Sequence, residues 1–301
     1  MNKKKLKIYF TDFWPNFRLE DNYFYNLLSL KYDLTIDNTN PDVLFHSVDY
    51  FNKEGHLKYN NGLTKKIFFT GENIDPKTVD THFSLSFKKN TSKNYRLPLW
   101  TQYINWFEKN NNIPDRDPAY LISKKSLLSS RKKPTTVKPY FCSFIASKPV
   151  GERVTFVPKL NEVKKVHNLG RLYNNSFMRV PGRGDQKRKL TFMKPFKFNL
   201  SFENTNSDGY VTEKILHSMY TGSIPIYWGS SQVKEDFNPN SFIYHGDFKK
   251  DSDLIDHILD TYNNKALIAN YLNEPIFKNN KIPDFVKPES VLAALSEFID
   301  Q

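Results

Sequence analysis

This chain of 301 residues has a single cysteine, Cys142. No internal disulfide framework is possible, and the composition fits a reducing compartment. Within the apolar run PYFCSFI, a lone cysteine reads as a small buried residue, not a nucleophile or a ligand. Long hydrophobic runs are also missing: no stretch approaches the roughly 20 apolar residues needed to cross a bilayer. MNKKKLKIYFTDFW begins like a secretory leader, but its apolar part is too short, alternates like a strand and soon meets Asp12. The chain is therefore expected to be soluble and cytoplasmic. G-x-G-x-x-G and G-x-x-x-x-G-K-S/T are both absent, so dinucleotide and P-loop readings lose support. The seven histidines show no H-x-x-x-H or comparable spacing.

The 39% hydrophobic and 15% aromatic content are those of a folded protein with a substantial core. A net charge of +12 implies an anionic partner: nucleic acid, a membrane surface or a phosphorylated small molecule. Peripheral contact with an anionic membrane stays open on this ground. The basic clusters Lys3–Lys5, Arg131–Lys133 and Arg183–Lys189 read as solvated loops. A nucleic-acid-binding protein would interleave exposed aromatics with such charges. Most aromatics here fall in apolar strand runs such as KIFFTG and IPIYWG, so no nucleic-acid partner is expected.

Residues 1 to about 130 alternate strand and helix patterns. LKIYFTDF, DVLFHSV, KKIFFTGEN, THFSLSF and NYRLPLW are short apolar or alternating runs, and DNYFYNLLSLKY has helical spacing. They predict a mostly parallel open sheet with helices against it. Ligands of such sheets bind at the carboxyl ends of the strands. Glu72 lies at such an end, in FFTGENIDP. Spacing alone favours a solvated turn carboxylate; the sharper reading is a general base. A polar, proline-containing linker is expected at about residues 125 to 138, dividing a domain over 1–130 from one over 139–301. The last helix is allowed to pack back on the first domain.

In the second half, YFCSFIAS leads into GERVTFVPKLNEVKKV, a helical pattern interrupted by Pro158. Arg153 at its start is either an ordinary surface charge or a guanidinium fork for phosphate oxygens. Then comes KFNLSFENTNSDGYVTEKILHSMYTGSIPIYWGS, Lys197 to Ser230. It reads as strand, turn, helix and strand, with Asp208 or Thr212 able to cap the helix and Gly222 as its stop. In such a βαβ unit the helix N-terminus lies beside the carboxyl ends of both strands and favours phosphate. Lys214 adds positive charge on the first turn. Glu213 adds a carboxylate, which a site built only for phosphate would avoid. A carboxylate suits paired ribose hydroxyls. Cations for a diphosphate and a carboxylate for a sugar form the pattern expected for a nucleotide-sugar. Glu203, in SFEN, is a rival carboxylate that otherwise holds a turn.

The stretch Lys197–Ser230 resembles the donor-binding motif of the α1,3/α1,4-fucosyltransferases, glycosyltransferase family 10. The resemblance rests on F-x-x-x-F-E-N, Y-V-T-E-K and G-x-I-P-I-Y-W-G in that order and spacing. FFTGENIDP, NYRLPLW, KPYFCSFIASKP and KVHNLGRLYNN are similar to weaker family blocks, and together they span about residues 65–245. Where the family often has aspartate after the valine of KKV, this chain has His167. The resemblance implies an α/β fold of the GT-B class, two Rossmann-like domains facing a cleft. It further implies inverting transfer of fucose from GDP-β-L-fucose to N-acetylglucosamine or glucose in an N-acetyllactosamine- or lactose-type oligosaccharide, as in bacterial surface glycans. On it, Glu72 matches the base, Arg153 and Lys214 the diphosphate contacts and Glu213 the ribose contact. Asn204 and Tyr210 match donor-pocket residues. Some bacterial members add C-terminal heptad repeats and a basic tail; the sequence to Gln301 carries neither, and membrane contact or dimerisation through them is not expected of it.

No metal is expected, and no cofactor beyond the donor. Asp251–Asp253 opens a helical pattern and reads as cap and first-turn residues. Asp115–Asp117 lies in a proline-bounded loop. The alternatives are a GT-B glycosyltransferase for another nucleotide-sugar and, from charge alone, the nucleic-acid binder.

Overall fold

The computed structural model describes residues 3–15, 17–48, 54–108, 122–131, 138–176, 179–180 and 185–301. They fall into two compact units. One comprises Met1–Gln102, Trp106–Lys109 and Pro283–Gln301; the other comprises Tyr103–Asn105 and Asn110–Ile282.

The first unit runs β1 (Lys4–Thr11), α1 (Tyr23–Leu28), β2 (Tyr32–Ile36), β3 (Val43–His46), β4 (Lys65–Phe69), β5 (Phe83–Ser86) and β6 (Asn94–Arg96). The six strands are parallel, in the order β2-β1-β3-β4-β5-β6. A parallel sheet is covered on both faces, which is why β3 reads VLFH with all four residues buried. On one face Phe24 of α1 packs on Phe45 and Phe69, and Phe45 stacks on Phe10. The helix pattern over DNYFYNLLSLKY stops earlier than its spacing predicts. Asn22 caps α1 through Tyr25 N–H, and by Tyr32 the chain is already paired with Lys4 in β2. Only Tyr32 of this edge strand is buried, so YDLTI carries little apolar signal.

The second unit begins with a two-stranded pair, β7 (Ile104–Asn105) and β8 (Ile122–Ser123), and α2 (Lys124–Leu127). There follow β9 (Tyr140–Phe144), α3 (Glu152–Val163), β10 (Val166–Asn168), α4 (Gln186–Met193), β11 (Phe196–Phe202) and α5 (Glu213–Tyr220). The unit closes with β12 (Ile224–Trp228), α6 (Val233–Asp236), β13 (Ile243–Tyr244), α7 (Asp251–Asn263) and α8 (Lys265–Asn273). Its parallel sheet has the order β10-β9-β11-β12-β13. Cys142 is fully buried in the core with Phe144, Phe156, Phe198 and Ile226, and burial pushes its thiol far above the ordinary range. The helix expected to break at Pro158 is continuous over Glu152–Val163. The proline removes one bond, to the carbonyl of Val154, a residue on the exposed face of the helix.

Of the segment expected as a linker, residues 132–137 lie outside the described residues. Arg131 is not the solvated charge its cluster suggested. It is buried, and its guanidinium donates to the carbonyls of Ser223 (2.7 Å), Ser241 (2.9 Å) and Tyr271 (3.1 Å) of the second unit. Burial pulls its pKa down to about 9. Three carbonyl acceptors offset much of the cost of burying it. Finally α9 (Pro288–Asp300) packs in the first unit, where Asp300 pairs with Lys4 and Lys31 at 2.8 Å each and Phe298 stacks on Phe83. Among the described residues no helix is long and apolar enough to cross a membrane.

Both sheets change direction next to their first strand, between β1 and β3 and between β9 and β11. The carboxyl ends of the strands at such a switch point are where open α/β sheets bind ligands.

Candidate active site

At the β9/β11 switch point of the second unit the structure gathers Arg153, Asn204, Glu203 and the first turn of α5. Arg153 opens α3 after β9 and is 2% exposed. Its guanidinium donates to the Phe202 carbonyl at 2.7 Å and to Asn204 Oδ1 at 2.8 Å. Its Nε–H is buried with no acceptor among the described residues. Burial lowers the guanidinium's pKa, while Glu203, Tyr210 and Glu213 oppose the shift. A cation held this deep with a donor left over is arranged for an anionic ligand.

Glu203 follows β11 and is fully buried. Its carboxylate accepts Thr212 N–H at 2.8 Å, the Thr212 hydroxyl at 2.8 Å and Lys214 Nζ at 2.7 Å. The Thr212 hydroxyl in turn accepts from Lys214 Nζ at 2.8 Å. Two consequences follow. Glu203 has no surface to offer a reacting hydroxyl, so it anchors the turn. Thr212 occupies the N-cap position of α5 but makes no capping bond with its side chain, contrary to the expectation, because its hydroxyl is spent on Glu203. The N-terminal N–H groups of α5 thus point from an uncapped first turn, the arrangement that favours phosphate. At the other end, Ser223 N–H bonds Ser218 O and Gly222 N–H, at φ 72, bonds Met219 O, closing the helix where glycine predicted.

Lys214 Nζ keeps one donor beyond its two bonds. Burial lowers the tendency of Lys214 to stay charged, but Glu203 and Glu213 outweigh it and the net shift is upward. Glu213, on the same turn, accepts from Lys189 Nζ at 3.0 Å, and both side chains are nearly buried. Burial alone would raise its carboxyl; Lys189 and Lys214 overcome that and hold it well below the usual range. His217, one turn on, is fully buried against Tyr103, and burial, then Lys189, keep it neutral. Tyr210 is buried at the turn before α5.

Lys189 was not legible in the sequence as a site residue. It sits in the basic cluster Arg183–Lys189, of which Arg183 lies outside the described residues, and it is not solvated. The signal available was its i−4 relation to Met193, which places it on the buried side of α4.

Glu72 belongs to the first unit, just beyond β4. Its backbone is fixed by the Thr70 hydroxyl, which accepts Glu72 N–H at 3.0 Å and donates to Glu72 O at 3.1 Å, and by Ile74 N–H on Glu72 O. Its partly exposed carboxylate makes no bond with any described residue.

A model described as glycosyltransferase family 10 (fucosyltransferase) C-term matches residues 131–276, and one described as alpha-(1,3)-fucosyltransferase FucT N-terminal domain matches residues 8–103. The chain belongs to glycosyltransferase family 10. The Helicobacter pylori alpha-(1,3)-fucosyltransferase FucT is 32% identical over 298 residues, 89% of this chain and 60% of that protein. The chain thus spans somewhat over half the length of that relative. A solved alpha1,3-fucosyltransferase with GDP-fucose superposes with a TM-score of 0.73 and 25% identity, over 100% of this chain and 92% of the other. A second alpha1,3-fucosyltransferase structure gives a TM-score of 0.76 at 26% identity, over 99% and 91%. The fold is GT-B-like, as the resemblance implied.

Of the two D-x-D candidates in this family 10 chain, Asp115–Asp117 lies outside the described residues. Asp251 and Asp253 sit in the first turn of α7, and Asp251 pairs with Lys159 at 2.7 Å and stands 3.4 Å from His245 Nε2.

Proposed function

We propose that this chain transfers L-fucose from GDP-β-L-fucose, with inversion, to a hydroxyl of N-acetylglucosamine or glucose in an oligosaccharide acceptor. The observation that carries the reading is the cationic switch point of the second unit: a buried Arg153 with an unused donor, Lys214 and an uncapped α5 start. These suit a diphosphate, whose charge grows as it leaves. Glu213 beside them suits the ribose, and Asn204 and Tyr210 line the same end of the sheet. Glu72 takes the acceptor proton. Membership of family 10 and the likeness to a GDP-fucose-bound fucosyltransferase support the choice of donor. The proposed setting is bacterial surface glycan synthesis from the cytoplasm, with no metal on the donor.

A donor screen tests this. GDP-fucose should be consumed with N-acetyllactosamine or lactose present, and GDP, not UDP, should compete. Transfer should persist in EDTA; complete loss that Mn²⁺ restores would defeat the metal-free reading.

Lys189→Met should expose how Glu213 is held. Without the cation, burial raises the Glu213 carboxyl toward the ordinary range. GDP affinity of the variant should therefore fall more steeply than the parent's between about pH 6 and about pH 4, where the parent's carboxyl stays ionised. Titration calorimetry at the two pH values decides it, and equal pH dependence would remove Glu213 from the ribose role.

A further inference from the structure

We propose that His56, oriented by the buried carboxylate of Asp12, accepts a hydrogen bond from a sugar hydroxyl at the β1/β3 switch point of the first unit. That the ligand is an acceptor oligosaccharide rests on the transferase reading above.

Asp12 follows β1 directly, and His46 ends β3; Thr11 and His46 are register partners. The pair therefore stands where the strand order of this sheet reverses, a position that binds ligands in open α/β sheets. Asp12 Oδ1 accepts Gly55 N–H at 2.9 Å and the Thr11 hydroxyl at 3.3 Å. Its Oδ2 accepts His56 N–H at 2.9 Å and faces His56 Nδ1 at 2.8 Å. The Asp12 side chain is 2% exposed and that of His56 14%. A carboxylate only accepts, so Nδ1 carries a proton, and in the neutral imidazole Nε2 keeps its lone pair. No described residue bonds Nε2.

The arrangement is costly for a mere turn. Asp12 is held at φ 61, in the left-handed region. Gly55 must be glycine, because a Cβ there would lie 2.2 Å from Thr11 Oγ1 and 2.8 Å from Asp12 Oδ1. The His56 ring stacks on His46 at 4.6 Å and 14°, and both ring nitrogens of the fully buried His46 lack partners among the described residues. Burial and the neighbouring His56 pull the His46 pKa down to about 3. His46 is buried beneath the ring and the Asp12 carboxylate is already filled by four donors, so among the described residues Nε2 of the partly exposed His56 is the polar atom of the group left for a ligand. A metal does not explain it. Near-parallel imidazoles cannot aim both in-plane lone pairs at one ion.

The test is NMR titration of the full chain with N-acetyllactosamine, lactose and monodeoxy analogues of each, beside a calorimetric GDP titration. The parent should show His56 as the Nδ1–H tautomer in ¹⁵N spectra. Removing one particular hydroxyl should weaken binding about three- to tenfold. In Asp12→Asn the amide donates to Nδ1, the tautomer flips, and Nε2 becomes a donor. The hydroxyl can then accept from Nε2–H, so its penalty should persist while the ¹⁵N spectra show the flipped tautomer and GDP affinity is unchanged. His56→Phe, which keeps the stack on His46 but has no ring nitrogen, should lose that penalty, and thermal melts check that both variants fold. An Nε2–H tautomer in the parent, no binding of either sugar, or the same analogue pattern in His56→Phe as in the parent would overturn the inference. Failure to bind GDP would defeat the transferase reading instead, and the tautomer and hydroxyl penalty would still be read on their own.

Discussion

Glu72→Gln should lower fucosyl transfer by about 10² to 10⁴ at saturating acceptor, the range a positioned general base contributes. GDP affinity should stay at the parent value, because every proposed nucleotide contact belongs to the second unit and Glu72 to the first. The amide keeps the shape but cannot take a proton as the acceptor oxygen attacks. Folding is not at stake. The turn is held by the Thr70 hydroxyl and backbone bonds, and the carboxylate makes none with the described residues. Steady-state rates with a calorimetric GDP titration check it. Near-parent turnover in Glu72→Gln would move the base elsewhere, and full burial leaves Glu203 a poor substitute.

The second large effect is expected at Lys214. Lys214→Met leaves the Glu203 carboxylate buried without its cation, and breaking such a pair costs on the order of 3–5 kcal/mol. Thr212 still donates to Glu203 and Lys214 is partly exposed, so the lower end applies. GDP binding should be lost with it. The double variant Lys214→Met with Glu203→Gln separates the two roles. Removing both charges should restore most of the stability, as for other buried pairs replaced together, yet leave GDP unbound. Denaturant melts and GDP titration on the single and the double variant decide this. Recovery of GDP binding in the double variant would show that Lys214 serves the fold alone.

The sequence exposed what is local. The βαβ unit over Lys197–Ser230 was legible because its strands are apolar and its helix carries Ile215 and Met219 on one buried stripe. Glu213 and Lys214 fall on that helix's first turn, so their proximity follows from spacing. β2 was hidden because an edge strand with one buried residue carries no clear period. Lys189 was hidden because its partner lies 24 residues away and a basic cluster reads as solvent-facing. The same holds for Asp12 and His56, 44 residues apart and joined only by the sheet's order. Arg131 shows the reverse: a charge that composition assigns to water is held by three carbonyls.

The central claim is that the cationic switch point of the second unit holds GDP-fucose for transfer. Real-time ¹H NMR of GDP-β-L-fucose with N-acetyllactosamine and the chain tests it most directly, with Arg153→Ala alongside. The account predicts that the donor's β-anomeric signal is replaced by that of an α-fucoside as GDP appears, and that Arg153→Ala slows this at least tenfold, a charge-assisted bond to phosphate being worth about 1.5–3 kcal/mol. A donor left unconsumed by the parent chain, or consumed equally fast by Arg153→Ala, would contradict it.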